Sequence, residues 1–451
     1  MTCFFSMKRI AACLLSAGLL APVGSAFAMG LLEAYNAALQ NDPIYRSAIH
    51  DNEAGRENRN LGRANLLPNL SINYSGSKNW AETTAPDGFG GFSTTRPTYI
   101  SSTGGLTLRQ PLYSPDGIAR YREGLAQGDY SDAQFSARQQ ELVTRLVSAY
   151  VDALFAVDYV NLAVAQRDTL IEQRQANDRM FKEGEGTKTD MLETQAKLDL
   201  SEAQLIEAQD SRATNLQALA AIVGHDISQL DGISDNFQAK PLQPSGFEEW
   251  KARALQHNPE IQAQRIAVEI SQQEVNKNRA GHLPHVDFLA SVTKDKADTI
   301  DTYTTDSNVR SVGVQVTIPI YSGGSVSASI RQASATHEKA KTDLEDKTNQ
   351  ILLDLHKQHS ATLSSLPKID ALVKSVNSAK LLVAATRQSI KGGIRVNLDL
   401  LNAEQQLYTA QRDLAQARYG YLVADLKLRS DAGVLSVDDL HNIAGYFVAT
   451  K

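Results

Sequence analysis

Cysteine is almost missing from this chain. Of 451 residues only Cys3 and Cys13 are cysteines, both near the start. Beyond them no disulfide, thiolate metal site or cysteine nucleophile can form. Basic charge is also short: 45 Lys and Arg face 51 Asp and Glu with no basic block, which argues against a nucleic-acid partner. After residue 28 no uninterrupted apolar run reaches the roughly 20 residues that a membrane-crossing helix needs. Any membrane insertion must then use strands, whose backbone groups can pair with one another.

Chemistry-bearing motifs are equally scarce. No Gly-x-Ser-x-Gly element or other recognisable nucleophile motif occurs, so nothing points to an enzyme or to a cofactor. Gly184-Glu185-Gly186-Thr187-Lys188-Thr189 glances at a phosphate loop, but its glycine spacing is wrong and it follows a helix rather than a strand. His356 and His359 lie one helical turn apart. Without a third ligand at a recognisable spacing they read as solvated helix residues.

What is present begins with an export signal. Lys8 and Arg9 precede an apolar run from Ile10 to about Val23, followed by Ala26-Phe27-Ala28. That is the three-part layout of a secretory signal peptide cleaved after Ala28. Its apolar core is broken by Gly18, Pro22 and Gly24 and is short for a membrane anchor. Ile10-Ala11-Ala12-Cys13 has the look of a lipoprotein box, but Arg9 directly upstream leaves no apolar stretch before it.

The remainder repeats itself. Gln40-Asn41-Asp42-Pro43 matches Gln256-His257-Asn258-Pro259, and Leu67-Pro68-Asn69 matches Leu283-Pro284-His285 at the same offset. Pro111-Leu112-Tyr113-Ser114 then matches Pro319-Ile320-Tyr321-Ser322. Finally Gly184, Asp190 and Leu192 match Gly393, Asp399 and Leu401. Ordered anchors of this kind mark a duplicated half of about 200 residues. The first copy is longer between its prolines, where Ala85-Pro86-Asp87-Gly88-Phe89-Gly90-Gly91 reads as a flexible surface loop.

Each half contains two kinds of pattern. Leu70, Ile72 and Tyr74 alternate with Asn69, Ser71, Asn73 and Ser75; later, Val312, Val314, Val316 and Ile318 also alternate with their neighbours. Period two over about ten residues fits membrane-spanning strands with one apolar and one wet face. Helical seams follow. Val143, Leu146, Tyr150, Ala153, Val157, Val160 and Val164 step by three and four residues, as do Val326 to Ile351 and Leu401, Gln405, Tyr408, Arg412, Ala415, Tyr419, Leu422 and Leu426. The spacing is that of a coiled coil. Its middling polarity suits the wall of a hollow cylinder. Pro367, inside the second long helical segment, predicts a bend or break there.

The chain therefore divides into a signal peptide, 1–28, a first repeat, 29–224, a linker, 225–246, a second repeat, 247–430, and a C-terminal segment, 431–451. The first repeat holds strands within about 69–113 and helices over about 118–183 and 188–223; the second holds strands within about 285–321 and helices over about 324–391 and 396–430. The fold class is mixed α and β. Four strands cannot close a barrel, and bacterial barrels begin at about eight strands. If the strands span a membrane, rather than forming two hairpins of a soluble domain, the chain must therefore oligomerise, as a dimer with eight strands or a trimer with twelve.

Gly186-Thr187-Lys188-Thr189-Asp190-Met191-Leu192-Glu193-Thr194-Gln195-Ala196 and Val396-Asn397-Leu398-Asp399-Leu400-Leu401-Asn402-Ala403-Glu404-Gln405 carry a resemblance to the TolC family of outer-membrane efflux proteins, as do Leu67-Pro68-Asn69 and Pro319-Ile320-Tyr321-Ser322-Gly323-Gly324. Within it, the chain is particularly similar to exit components of type I exporters for alkaline protease and lipase.

The resemblance implies a homotrimer in outer-membrane lipid: a 12-stranded β-barrel continuous with a 12-helix α-barrel, girdled by a mixed equatorial belt. That belt would hold helices near 31–66 and 247–282, the linker and the C-terminal segment. Implied partners are a periplasmic adaptor, an inner-membrane ABC transporter and a secreted protein cargo of protease or lipase class. The alternatives are a multidrug efflux duct and a periplasmic coiled-coil adaptor without a pore. The resemblance also implies a periplasmic gate at the hairpin tips, at Gly184 and Gly186 and at Gly392 and Gly393. In it, Arg395 would reach Thr189 and Asp190, and Asp399 would form an acidic ring. Asn402 stands where better-known members have a second acid, and Ile390 where they have a tyrosine.

Overall fold

The computed structural model describes residues 29–234, 237–297 and 305–448; the expected signal peptide lies outside them. In chain order come α1 (Leu31–Asn41), α2 (Pro43–Arg56), α3 (Asn58–Ala64), β1 (Asn69–Trp80), β2 (Thr83–Pro86), β3 (Phe92–Thr95), β4 (Thr98–Tyr113), α4 (Pro115–Glu183) and α5 (Lys188–Val223). Then follow β5 (Gly232–Ile233), α6 (Phe247–His257), α7 (Pro259–Ala280), β6 (His285–Ala297), β7 (Thr305–Thr317), α8 (Ser325–Lys391), α9 (Asn397–Asp431), α10 (Val437–Ala444) and β8 (Phe447–Val448).

The repeated Asx-Pro anchors are helix junctions. Asp42 caps α2 by accepting from the Tyr45 N–H at 2.8 Å, and Asn258 caps α7 by accepting from Glu260 and Ile261. In each case proline takes the first helical position, where its missing N–H costs nothing. Both caps are buried, so each also bonds elsewhere. Arg145 reaches Asp42 at 2.6 Å, and the Asn258 amide donates to the Asp431 carbonyl at 2.9 Å. The anchors thus tie short helices to long ones.

The main sheet has the order β1-β4-β6-β7, antiparallel throughout. Its one apolar face carries Leu70, Ile72, Leu106, Val292, Val312, Val314 and Val316, all exposed. The opposite face pairs Asn69 with Arg109, Ser71 with Thr107, and Ser291 with Ser311. Among the described residues β1 and β7 each have a partner on one side only, so this sheet is open at both edges. The insertion between Trp80 and Thr98 is a second ribbon, β2–β3, rather than an irregular loop. Its turn is held by Asp87, which accepts from the Phe89 and Gly91 N–H groups at 2.9 and 2.8 Å.

Ser114 closes the strand-to-helix joint by accepting from the Gly117 N–H at 3.0 Å. From there α4 runs 69 residues, roughly 100 Å at helical rise. By length and composition it is the one described helix apolar enough to cross a membrane. Interruptions by polar residues hid that property from a search for unbroken runs. Its apolar side chains are used otherwise: Leu142, Leu146, Val147, Tyr150 and Leu154 are buried in a cluster with Leu31, Ala34, Leu219, Val223, Leu426 and Leu440. This core surrounds the middle of the long helices and draws in α1, α5, α9 and α10. Near the sheet, Gly62 and Gly124 let α3 and α4 touch; a β-carbon on Gly124 would lie 2.3 Å from the Asn58 carbonyl oxygen.

α8 continues as one helix through Pro367, where the sequence predicts a bend or break. The hydrogen bond that proline removes is offset by packing around it. Leu366, Ile369, Leu372 and Val373 sit against Phe237, Ala417, Tyr421 and Leu422. His359 also differs from its reading as a solvated residue. It is 6% exposed, its Nε2–H donates to the Ser245 carbonyl at 3.0 Å, and the Phe247 ring stands edge-on to both His356 and His359. The segment before α6 folds over α8 and covers it.

Candidate functional site at the hairpin tips

The long helices end in two hairpin turns at the opposite end from the sheet. At the first turn Gly184 caps α4 with φ 81°, a left-handed conformation that glycine adopts without strain. The Glu185 and Gly186 N–H groups donate to the Met180 carbonyl at 2.9 and 3.0 Å, satisfying the frayed end of α4. A β-carbon on Gly186 would press on the Phe181 nitrogen at 3.0 Å.

The next helix starts with a reciprocal cap. Thr187 Oγ1 accepts from the Asp190 N–H at 3.1 Å, while Asp190 Oδ2 accepts from the Thr187 N–H and hydroxyl at 3.3 and 2.6 Å. Such a box satisfies two otherwise orphaned donors. Asp190 is thereby occupied locally. Thr189 is exposed beside it.

The second turn has the same outline with fewer ties. Gly393 has φ 73°, and the Ile394 N–H donates to the Ser389 carbonyl at 3.0 Å. Asp399 occupies the third helical position of α9, as Asp190 does in α5. The capping position, however, is Val396, which has no hydroxyl and makes no side-chain cap. The Asp399 carboxylate is consequently left to the field of the helix N-terminus. Asn402, one turn further along, is exposed. Arg395 is exposed and forms no ion pair among the described residues; within one chain it is not brought to Thr189 or Asp190.

What does join the two hairpins within a chain was absent from the sequence reading. Thr194, fully buried, accepts from Asn177 of α4 at 2.8 Å and from Asn397 of α9 at 3.0 Å. Higher up, the largely buried Glu404 accepts from Gln173 of α4 and from Arg387 of α8, the latter at 3.0 Å. Gln166 of α4 donates to Gln405 of α9 at 3.0 Å. A polar ladder therefore links the hairpins along the tip-side part of the long helices. Its one legible signal was Gln405, which with Arg412 is a polar residue on a largely apolar seam.

Over residues 34–225 and 250–434 the chain matches the family described as outer membrane efflux protein. The chain belongs to that family. It is 43% identical to the alkaline protease secretion protein AprF of Pseudomonas aeruginosa, over 98% of this chain and 92% of that one. It is 37% identical to the proteases secretion protein PrtF of Dickeya chrysanthemi, over 94% and 92%. The fold is that of the solved CmeC outer membrane channel of Campylobacter jejuni, with a TM-score of 0.79, 17% identity, and 93% of this chain and 90% of that one covered. Family membership places this outer membrane efflux protein among outer-membrane channels, with its strands in the membrane and its long helices in the periplasm. The reading as a pore-less coiled-coil adaptor falls with it.

Proposed function

We propose that this outer membrane efflux protein is the exit duct of a type I secretion system. It passively conducts a secreted protein of the protease or lipase class from an inner-membrane ABC transporter and a periplasmic adaptor to the exterior. The identity to AprF along nearly the whole chain carries this reading. Three copies would join β1 of one to β7 of the next, because an open sheet edge in lipid leaves backbone groups unpaired at several kcal/mol each. The short elements around the middle of the helices would form the equatorial belt.

In a gene-deletion strain, loss of extracellular protease with unchanged drug tolerance supports the reading. Unchanged secretion with heightened drug sensitivity would transfer it to multidrug efflux. At the tips, the free guanidinium of Arg395 is suited to reach Thr189 and Asp190 of a neighbouring copy, and Asp399 to line the lumen as an acidic ring. Asn402 adds no charge to that ring. Arg395→Ser is expected to raise conductance of the purified channel in planar bilayers; equal conductance would remove Arg395 from the gate.

A further inference from the structure

The apolar face of the sheet stops abruptly at its end remote from the helices. On β6 the face runs Phe288, Ala290, Val292 and then Lys294 and Lys296; on β7 it runs Val316, Val314, Val312 and then Arg310. Register makes these positions neighbours. Arg310 lies opposite Val292, and so diagonal to Lys294, while Lys296 lies opposite Asp306. Diagonal pairs on one face stand roughly 7–8 Å apart, close enough for one anionic group to be held by two side chains.

All three basic residues are exposed. Among the described residues of this face the one acid beside them, Asp306, stands 3.7 Å from Lys294 with both side chains more than half exposed, a pairing that contributes little. The described residues of the shelf therefore keep a net positive charge. On its other flank β4 brings Ser102 opposite Lys296 and Gly104 opposite Lys294, and a β-carbon on Gly104 would lie 3.4 Å from the Tyr74 ring. These small residues leave room beside the lysines, next to an aromatic ring and one hydroxyl.

Height in the membrane follows from the strand. Eight residues separate Arg310 from Ile318, roughly 27 Å along the chain and about 20 Å once tilted, most of an apolar band about 25 Å tall. The helices leave the sheet from the other end, on the periplasmic side. The basic shelf thus meets the outer leaflet, which in this membrane is phosphorylated glycolipid.

We propose that Lys294, Lys296 and Arg310 bind the phosphate groups of an outer-leaflet glycolipid whose acyl chains lie on the valine stripes below. Arginine offers a fork matched to phosphate, and the lysines add point charges. Apolar residues directly beneath the charges distinguish such a site from a solvated charge cluster.

The test uses purified, delipidated channel in its assembled form. Binding of bis-phosphorylated lipid A, of the same glycolipid stripped of phosphate, and of phosphatidylglycerol is measured by native mass spectrometry. The K294Q/K296Q/R310Q variant is expected to hold the bis-phosphorylated lipid about tenfold less tightly or worse, with the phosphate-free lipid weak on both proteins. A K357Q/K368Q/K374Q variant, altering exposed lysines of α8, should bind as the parent does. Equal binding by the triple variant, equal binding of the phosphate-free lipid, or equal loss in the control would each overturn the site. Phosphatidylglycerol binding as tightly, with the same sensitivity, would overturn the glycolipid assignment. Heat-modifiable gel migration separates lost lipid from lost assembly. Should the triple variant fail to assemble, K296Q alone carries the comparison.

Discussion

The two hairpin tips descend from one repeated pattern and are tied down differently. The first has its glycine turn bonded to Met180 and a complete Thr187–Asp190 cap; the second has Val396 where the hydroxyl should be. The helices behind them differ as well. α4 packs against α1, α2, α3 and α7, whereas α8 meets α6 and α7. The first hairpin has a packed root and a capped tip; the second is packed at its root by α6, α7 and Phe237 but has an uncapped tip. In the proposed gate, α8 and α9 would move against α4 and α5, and the polar ladder between them would set how easily.

Removing the strongest rung should therefore have the largest effect. Glu404→Ala leaves Arg387 and Gln173 without their acceptor, weakening the contact between hairpins by about 2–3 kcal/mol. Single-channel conductance in planar bilayers should rise several-fold. Glu404→Gln, which can still accept from Gln173, should fall between parent and alanine variant. If both variants conduct as the parent does, the ladder does not restrain the second hairpin.

Much of this asymmetry could not be read in advance. The strands, the long helices and the turn glycines were legible because each is a local signal: alternation, three-and-four spacing, or a residue free to take positive φ. The Asx-Pro anchors were legible as repeats though not as caps, since capping depends on which backbone N–H groups lie free. Thr194 and Glu404 were invisible because their partners lie on other helices, up to 231 residues away in the case of Gln173. The break that Pro367 allowed for does not occur, for the same reason: a helix breaker is a local signal, and the packing around it is not. The shared Asp190 and Asp399 positions suggested equivalent acids. The difference resides in the residue three positions earlier.

The contrast continues at the roots of the hairpins. α5 ends at Gly224, with the Asn41 amide donating to the Val223 carbonyl at 2.8 Å. α9 ends at Asp431, whose carboxyl is pushed up to about 7 by burial and then by Asp354 and Glu260, with Lys427 opposing. Because folding raises this value above the ordinary 3.8, the folded chain holds the proton more tightly than the unfolded chain. The stabilisation is complete below about pH 4 and is lost as pH rises through about 7. Asp431→Asn should remove that slope. In thermal melts of the detergent-solubilised channel, the variant should match or trail the parent at pH 4 and exceed it at pH 8 by about 1–2 kcal/mol. A gap that does not change with pH would show that Asp431 ionises at its ordinary value.

The smallest effect gives the sharpest comparison. Val396→Thr would supply the missing hydroxyl at the position matching Thr187, with Asp399 already standing where Asp190 stands. A completed box should stabilise the second tip by about 0.5–1 kcal/mol, visible as slower proteolysis at the turn. Its larger consequence is chemical: a carboxylate that accepts from its own helix cap has less to offer a cation in the lumen. If Asp399 serves the channel mouth, Val396→Thr should reduce block by divalent cations in planar bilayers. Thr187→Ala, which dismantles the first box, should leave that block nearly unchanged. Equal shifts from both substitutions would mean that the two acids are equivalent after all, and that the valine at 396 does not set Asp399 apart.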